Sequence, residues 1–184
     1  HRYGRRQRQM CIRDSYENAC TWGKNNMCSL IKKEITKTDD KIRLGFLCGE
    51  IRNHPTFYLM KNFFKNLDKD IFSIYMFSYD HEADKKLHIE QDFNEFVDIT
   101  ALSTTESTNK IQSYDLDILI DLTTIISHNR SNIINQDIAK ITIAYLAFPG
   151  TTGSQIYDYI LTDNIVTPLD LSLIHISEPT RHES

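Results

Sequence analysis

The 184-residue chain carries 21 Lys and Arg against 25 Asp and Glu, a net charge of −4 with its 7 His neutral. This acidic balance argues against wholesale contact with a nucleic-acid phosphate backbone. No apolar run approaches the ~20 residues of a membrane span, and 4 cysteines are too few for a disulfide scaffold in a chain whose length suits one domain.

The two ends read as foreign. Residues 5–14 can be back-translated so that the last part, extended by AG, has the reverse complement CTGTCTCTTATACACAT. That strand encodes Leu-Ser-Leu-Ile-His-Ile, the sequence of residues 171–176. One short DNA element in two orientations therefore brackets the chain. It resembles a translated transposon-type sequencing-library adapter, which residues 177–181 continue. Residues 1–14 and 171–184 are set aside as adapter-like, non-native tails, and what lies between is expected to be a fragment. Setting the tails aside removes Arg2, Arg5, Arg6, Arg8, Arg13 and Arg181, and Asp14, Glu178 and Glu183. Lys plus Arg falls from 21 to 15, Asp plus Glu from 25 to 22, and the net charge becomes −7. The arginines of the front tail then give no support to a nucleic-acid arm. Cys20, Cys28 and Cys48 remain, without the paired spacing of a metal site, and read as free thiols.

Residues 15–40 are a helical or linker segment. Met27, Leu30, Ile31 and Ile35 fall on one helical stripe. From residue 41 to 170 the text is that of a folded domain. Ile42, Leu44, Phe46 and Leu47 predict a strand over 42–48. Pro55 suits a first helical turn, where its missing N–H costs nothing. A helix over 57–67 is expected to face inward with Leu59, Met60, Phe63, Phe64 and Leu67. The β-branched and aromatic run 71–79 predicts a second strand. Residues 80–94 are charged, helix or loop, with His81 and His88 expected to face solvent. A third strand is predicted over 95–99, then a polar helix over 104–113 capped by Ser103 or Thr104. Residues 116–122 are nearly all apolar, as a central parallel strand should be. A helix over 129–136 and strands over 141–146 and 159–162 complete the series. Strand and helix alternate, which predicts an α/β fold: a doubly wound, mostly parallel, Rossmann-like sheet.

Two loops behind predicted strand ends carry residues suited to chemistry. In open α/β sheets ligands bind outside the carboxyl ends of the strands, so both loops can face one cleft. The first, residues 49–56, lacks G-x-G-x-x-G, which disfavours a dinucleotide site. It has Glu50 four residues before His54, and the N–H groups of Thr56 and Phe57 at a helix start can attract a diphosphate. Taken alone, a His at a helix start is more often a cap than a catalyst. The second loop, residues 148–153, offers hydroxyls and open amides, and alone it is also an ordinary turn. Arg130 in Ser127-His128-Asn129-Arg130 can reach an anion or pair with a surface carboxylate. Asp115, Asp117 and Asp121 alternate along the fourth strand. Only Asp121 lies near a carboxyl end, and no His or Cys is spaced to share a metal with it.

Together these segments resemble the first catalytic lobe of the O-linked N-acetylglucosamine transferases. The resemblance covers residues 41–168 and rests on an ordered series. Arg43-Leu44-Gly45-Phe46 and Asn53-His54-Pro55-Thr56 come first. Phe96-Val97-Asp98, Asp117-Ile118-Leu119-Ile120-Asp121-Leu122 and Asn129-Arg130 follow. The series closes with Phe148-Pro149-Gly150-Thr151-Thr152-Gly153, then Asp158-Tyr159-Ile160-Leu161-Thr162-Asp163, and Pro168. It implies the N-terminal lobe of a two-lobed GT-B glycosyltransferase. It implies transfer of N-acetylglucosamine from UDP-N-acetylglucosamine to Ser and Thr hydroxyls of cytoplasmic proteins, with inversion and without a metal. No cofactor is implied beyond the sugar-nucleotide donor. The implied partners are protein acceptors, a second catalytic lobe and upstream tetratricopeptide repeats, with no nucleic acid and no membrane.

By the same resemblance, His54 sits at the acceptor side near the reacting groups and Glu50 stands where an Asp usually assists proton transfer. Pro55 and Thr56 line the pocket. Leu146 and Ala147 match a Leu-Gly pair whose backbone faces the donor sugar, and Pro149, Gly150 and Thr151 complete the substrate-binding set. The chain departs from the pattern at Ala147, at Thr124-Ile125-Ile126 where Gly-(Tyr/His)-Thr is usual, and at Thr142 where Gln is usual. These departures leave the donor open, since related members use GDP-fucose. Two other readings stand beside the enzyme: a lobe that has lost catalysis and binds proteins, and a generic nucleotide-binding domain, which the missing glycine fingerprint weakens. The fragment by itself is expected to be inactive.

Overall fold

The structure is a computed structural model and describes residues 41–124, 129–146 and 156–162. Apart from Ile156 and Thr162 these belong to one compact unit. The segment expected over 15–40 and the residues expected to be non-native tails, 1–14 and 171–184, lie outside the described residues.

Strand β1 (Ile42–Cys48) leads to helix α1 (Pro55–Lys65), strand β2 (Phe72–Ser78) and helix α2 (Ala83–Ile89), which runs into a 3₁₀ turn over Glu90–Asp92. Strand β3 (Glu95–Asp98), helix α3 (Thr104–Gln112), strand β4 (Leu116–Asp121), the short helix α4 (Ser131–Ile134) and strands β5 (Ala139–Tyr145) and β6 (Tyr159–Leu161) follow. The sheet order is β3-β2-β1-β4-β5-β6, and every pairing is parallel. The chain winds outward from β1 to β3, then returns to lay β4 against the other side of β1. This is the switch point of a doubly wound fold, where a crevice opens between adjacent carboxyl ends. Register sets the edge: Leu47 stands opposite Asp121, and Asp121 opposite Ala144. The loops after β1, β4 and β5 therefore leave the sheet at nearly one level.

Helices cover both faces. On one, Phe46 meets Phe64 at 5.2 Å between ring centroids, and Phe64 meets Phe93 at 5.0 Å. α1 docks there through Phe57, Met60 and Phe64, each worth ~1.5–3 kcal/mol when fully buried. The inner face differs from the one expected: Leu59 is 66% and Phe63 39% exposed. On the other face Gly45 leaves room for Leu116, Leu119 and Phe77; a Cβ there would fall 2.5 Å from Leu116 Cδ1. Tyr114, just past α3, packs its ring at 5.1 Å on Tyr75 and on Phe77.

The start of α3 is fixed by a reciprocal cap. Glu106 N–H donates to Ser103 Oγ at 3.3 Å, and Ser103 N–H donates to Glu106 Oε2 at 2.9 Å. α4 is four residues long rather than the expected eight: it starts only after the non-helical Arg130 and ends at Ile134, and Asp137, at φ 56°, lies in the turn that leads to β5. His81 is also not where the charged text around it suggests. Ile51 and His81 form a parallel bridge, and the His81 ring packs edge-on against Phe96 at 5.5 Å with its side chain 13% exposed. His88 is exposed as expected. No helix among the described residues is long and apolar enough to cross a membrane.

Candidate active site at the carboxyl edge of β1 and β4

β1 ends in Cys48, and Gly49 follows. Gly49 N–H donates to Thr123 Oγ1 at 3.0 Å, joining the loop after β1 to the loop after β4. A side chain at Gly49 would place Cβ 2.2 Å from Tyr79 Cε2, so the close approach of this ring demands glycine.

Glu50 is buried, 4% exposed, and its carboxylate organises the start of α1. Thr56 Oγ1–H donates to Glu50 Oε2 at 2.8 Å, and His54 Nδ1 lies 3.0 Å from the same oxygen. His54 is also the N-cap residue of α1, with Thr56 N 3.3 Å from Nδ1. One ring nitrogen cannot hold a proton for Glu50 and a lone pair for Thr56 N–H in the same state. The shorter contact to the carboxylate is the stronger when charge-assisted. We therefore assign the proton to Nδ1, which leaves a lone pair on Nε2. The His54 side chain is 35% exposed, and among the described residues nothing hydrogen-bonds Nε2. A half-exposed imidazole backed by a buried carboxylate is the arrangement of a general base. Pro55 occupies the first turn of α1 and Thr56 is buried, its hydroxyl committed to Glu50.

Behind this pair lies a buried polar network that sequence reasoning missed. Asp121 Oδ1 accepts from Thr123 N–H at 2.9 Å and Thr124 N–H at 3.1 Å, and Oδ2 accepts from Tyr157 O–H at 2.6 Å. Burial pushes the Asp121 carboxyl above its usual range and the nearby Glu50 charge adds to this, against the lowering by its three donors. Burial likewise raises the phenols of Tyr157 and Tyr79, so both remain donors; Tyr79 is hydrogen-bonded to Thr123. Burial, with the carboxylates of Glu50 and Asp121, pushes the Cys48 thiol up to about 12. Cys48 is an inert structural thiol. The sequence signal for this network is Asp121 itself, a charged residue closing the apolar run Ile118-Leu119-Ile120.

The loop after β5 begins with Leu146 at φ 61°, its side chain packed against the core cluster that holds Phe46 and Phe57. Leu146 and His54 thus lie on the same carboxyl edge. Ala147, Pro149, Gly150 and Thr151 lie outside the described residues. Thr124, after β4, has φ 48° and is buried, its hydroxyl without a partner among the described residues.

Other candidates resolve into structure. Arg130 Nη1 donates to Ile99 O at 2.9 Å and Ser107 Oγ at 3.2 Å, Nη2 donates to Leu102 O, and the guanidinium lies over the Tyr79 ring. It pins the β3–α3 connection. Asp115 and Asp117 lie at the opposite edge, with Arg43 and Lys140. Thr142 lies within β5 and holds Asp158, whose Oδ2 accepts from Thr142 N–H at 2.8 Å and from Thr142 Oγ1–H at 3.1 Å. Among the described residues no group of three or more His, Cys, Asp or Glu is placed to hold a metal ion.

Known proteins are similar to this chain in fold and sequence. A Caenorhabditis elegans UDP-N-acetylglucosamine–peptide N-acetylglucosaminyltransferase is 26% identical over 135 residues, 72% of this chain and 12% of its own length. The probable UDP-N-acetylglucosamine–peptide N-acetylglucosaminyltransferase SEC of Arabidopsis thaliana is 28% identical over 137 residues, 73% of this chain and 14% of its own. The chain thus spans about one seventh or less of these curated relatives. A solved structure of a mutant O-GlcNAc transferase from Thermobaculum terrenum superposes with a TM-score of 0.77 at 22% identity, over 83% of this chain and 30% of that one. That likeness bears out the expected α/β lobe. The model of glycosyl transferase family 41 matches residues 8–180, nearly the whole chain, and the chain belongs to that family.

Proposed function

We propose that the chain is the N-terminal catalytic lobe of a protein O-glycosyltransferase that moves N-acetylglucosamine from UDP-N-acetylglucosamine to Ser and Thr hydroxyls. The observation that carries this reading is the buried Glu50 carboxylate 3.0 Å from His54 Nδ1 at the sheet's switch point. A serine hydroxyl is a poor nucleophile at neutral pH and needs a base within hydrogen-bond reach. In the proposed step the hydroxyl oxygen attacks the anomeric carbon from the side opposite the diphosphate. The new C–O bond forms as the bond to the phosphate oxygen breaks, and the leaving diphosphate takes the electron pair. The hydroxyl proton passes to His54 Nε2, and Glu50 stabilises the imidazolium through Nδ1–H. Attack from the opposite side inverts the anomeric centre.

A second reading, a related transferase using another sugar nucleotide such as GDP-fucose, draws on Thr124. This residue puts a buried, β-branched side chain on the loop after β4, where the resemblance has Gly.

The test uses the polypeptide completed from its flanking gene sequence. It should label a mixture of Ser and Thr peptides from radiolabelled UDP-N-acetylglucosamine, in EDTA as well as without it, and give the inverted anomer. Label from GDP-fucose instead would establish the second reading, and label from neither donor would leave a lobe without catalysis. The 184-residue chain alone should transfer nothing, because the second lobe is needed to close the site.

A further inference from the structure

We propose that the groove between α1 and α2 docks an acidic segment of the acceptor protein. The groove, of about 300 Å³, is lined by Tyr58, Lys61, Asn62 and Lys65 from α1 and by Lys85 and His88 from α2. Tyr58, Lys61, Asn62 and Lys65 are exposed, and their spacing puts them on one stripe of α1. Three lysines and a histidine thus line one cleft in a chain whose net charge is −4. Against them stands Asp92 in the lining, and Asp84 outside it, 2.9 Å from Lys85 Nζ. Lys61 rests over the Tyr58 ring at 5.4 Å, which holds one ammonium toward the groove. No carboxylate among the described residues pairs with Lys61 or Lys65. Local positive charge on an acidic protein selects a short anionic partner rather than a long polyanion, which the rest of the surface repels.

The groove also joins the candidate active site. Tyr58 O–H donates to Asn53 Oδ1 at 2.9 Å, and Asn53 precedes His54. A segment held along the 58/61/62/65 stripe therefore ends one helical turn from the imidazole. Asn62 and Gln91 carry amides that can bond the main chain of an extended peptide, while Lys61 and Lys65 meet carboxylates on its side chains. The inference rests on the protein-acceptor reading and names the class of acceptor: one with acidic residues beside the modified hydroxyl.

The experiment measures binding to the 184-residue chain without a donor, so its failure is separate from failure of the transferase reading. The probe is a fluorescein-labelled peptide alternating Glu and Ser, read by anisotropy at low salt. Binding should weaken steeply as ionic strength rises, since the Debye length shrinks to ~8 Å at 0.15 M. A Lys-Ser peptide should not bind. Lys61→Glu with Lys65→Glu should weaken the Glu-Ser peptide at least ~10-fold, whereas Lys110→Glu on α3 should leave it unchanged. Lys61→Gln with Lys65→Gln, with its unfolding midpoint checked, separates lost charge from lost fold. The proposal is overturned if the peptide does not bind, if Lys110→Glu weakens it equally, or if duplex DNA or anionic vesicles bind more tightly at equal charge.

Discussion

Gly49 and Thr123 are joined by a 3.0 Å hydrogen bond from the glycine N–H to the threonine hydroxyl. The same hydroxyl is bonded to Tyr79, and the Thr123 N–H is held by Asp121. One side chain thus fixes the loop carrying Glu50 and His54 to the end of β4. Thr123→Val keeps the shape and removes the hydroxyl. It leaves the Gly49 N–H and the Tyr79 phenol without this partner, and buried unsatisfied groups cost ~1–3 kcal/mol. The unfolding midpoint in denaturant should fall accordingly, and Thr123→Ser should recover most of it. An unchanged midpoint in Thr123→Val would show that the two loops are held by other contacts.

His54 stands at the N-cap position of α1, but with its Nδ1 proton directed at Glu50 it presents Nε2 outward and offers Thr56 N–H no lone pair. Asn is among the strongest N-cap residues, so His54→Asn should hold the unfolding midpoint within ~0.5 kcal/mol. In the completed enzyme it should lower kcat by roughly 10²-fold or more, the scale of a lost positioned acid–base group. Wild-type turnover in His54→Asn would remove the imidazole from the mechanism and leave only the cap.

The sequence carried the strands more clearly than the faces. The apolar residues of 42–48 predict β1 as a strand, and the largely apolar run 116–122 reads as a central parallel strand, which is where β4 lies. The Ser103–Glu106 cap is legible from spacing. The buried face of α1 was not, because the whole arc opposite Lys61, Asn62 and Lys65 is apolar, from Leu59 and Phe63 round to Met60, Phe64 and Phe57. The stripe through Phe57, Met60 and Phe64 and the one through Leu59 and Phe63 fit the same text, and only packing against Phe46 and Phe93 decides between them. The Glu50–His54 spacing was visible, being local. The Asp121 network was not, since Tyr157 reaches it from 36 residues away. His81 was misplaced for a similar reason: its neighbours in sequence are charged, but the ring it meets is Phe96, on β3.

Thr124 carries a conformation suited to glycine. Its φ of 48° lies in the left-handed region, where a β-branched residue is strained by ~1–2 kcal/mol, and its buried hydroxyl is without a partner among the described residues. Thr124→Gly removes both penalties and loses a small buried methyl and some unfolded-state restriction. The net result should be a gain of about 1 kcal/mol, seen as a higher denaturant midpoint with unchanged slope. Thr124→Val keeps the strain and removes only the hydroxyl, so it should recover no more than part of the gain. A loss in Thr124→Gly would mean that the side chain is needed for packing.

Asp121 should make stability depend on pH in a direction opposite to that of an ordinary salt-bridged carboxylate. Its folded-state pKa is raised by burial, with Glu50 adding to the effect. A carboxyl whose folded pKa exceeds its unfolded value near ~3.9 binds a proton more tightly when folded. That contribution is fully present below the unfolded value and is lost as pH rises through the folded one. Asp121→Asn cannot titrate, while its carbonyl oxygen can still accept from the Thr123 and Thr124 N–H groups. The wild-type midpoint minus the variant midpoint should therefore be largest near pH 4 and shrink as pH rises. Asp121→Ala should instead destabilise at every pH, because three buried donors lose their acceptor. A difference between wild type and Asp121→Asn that stays flat from pH 4 to 8 would mean that the carboxylate carries no net penalty in the fold, and that its three hydrogen bonds fully offset its burial.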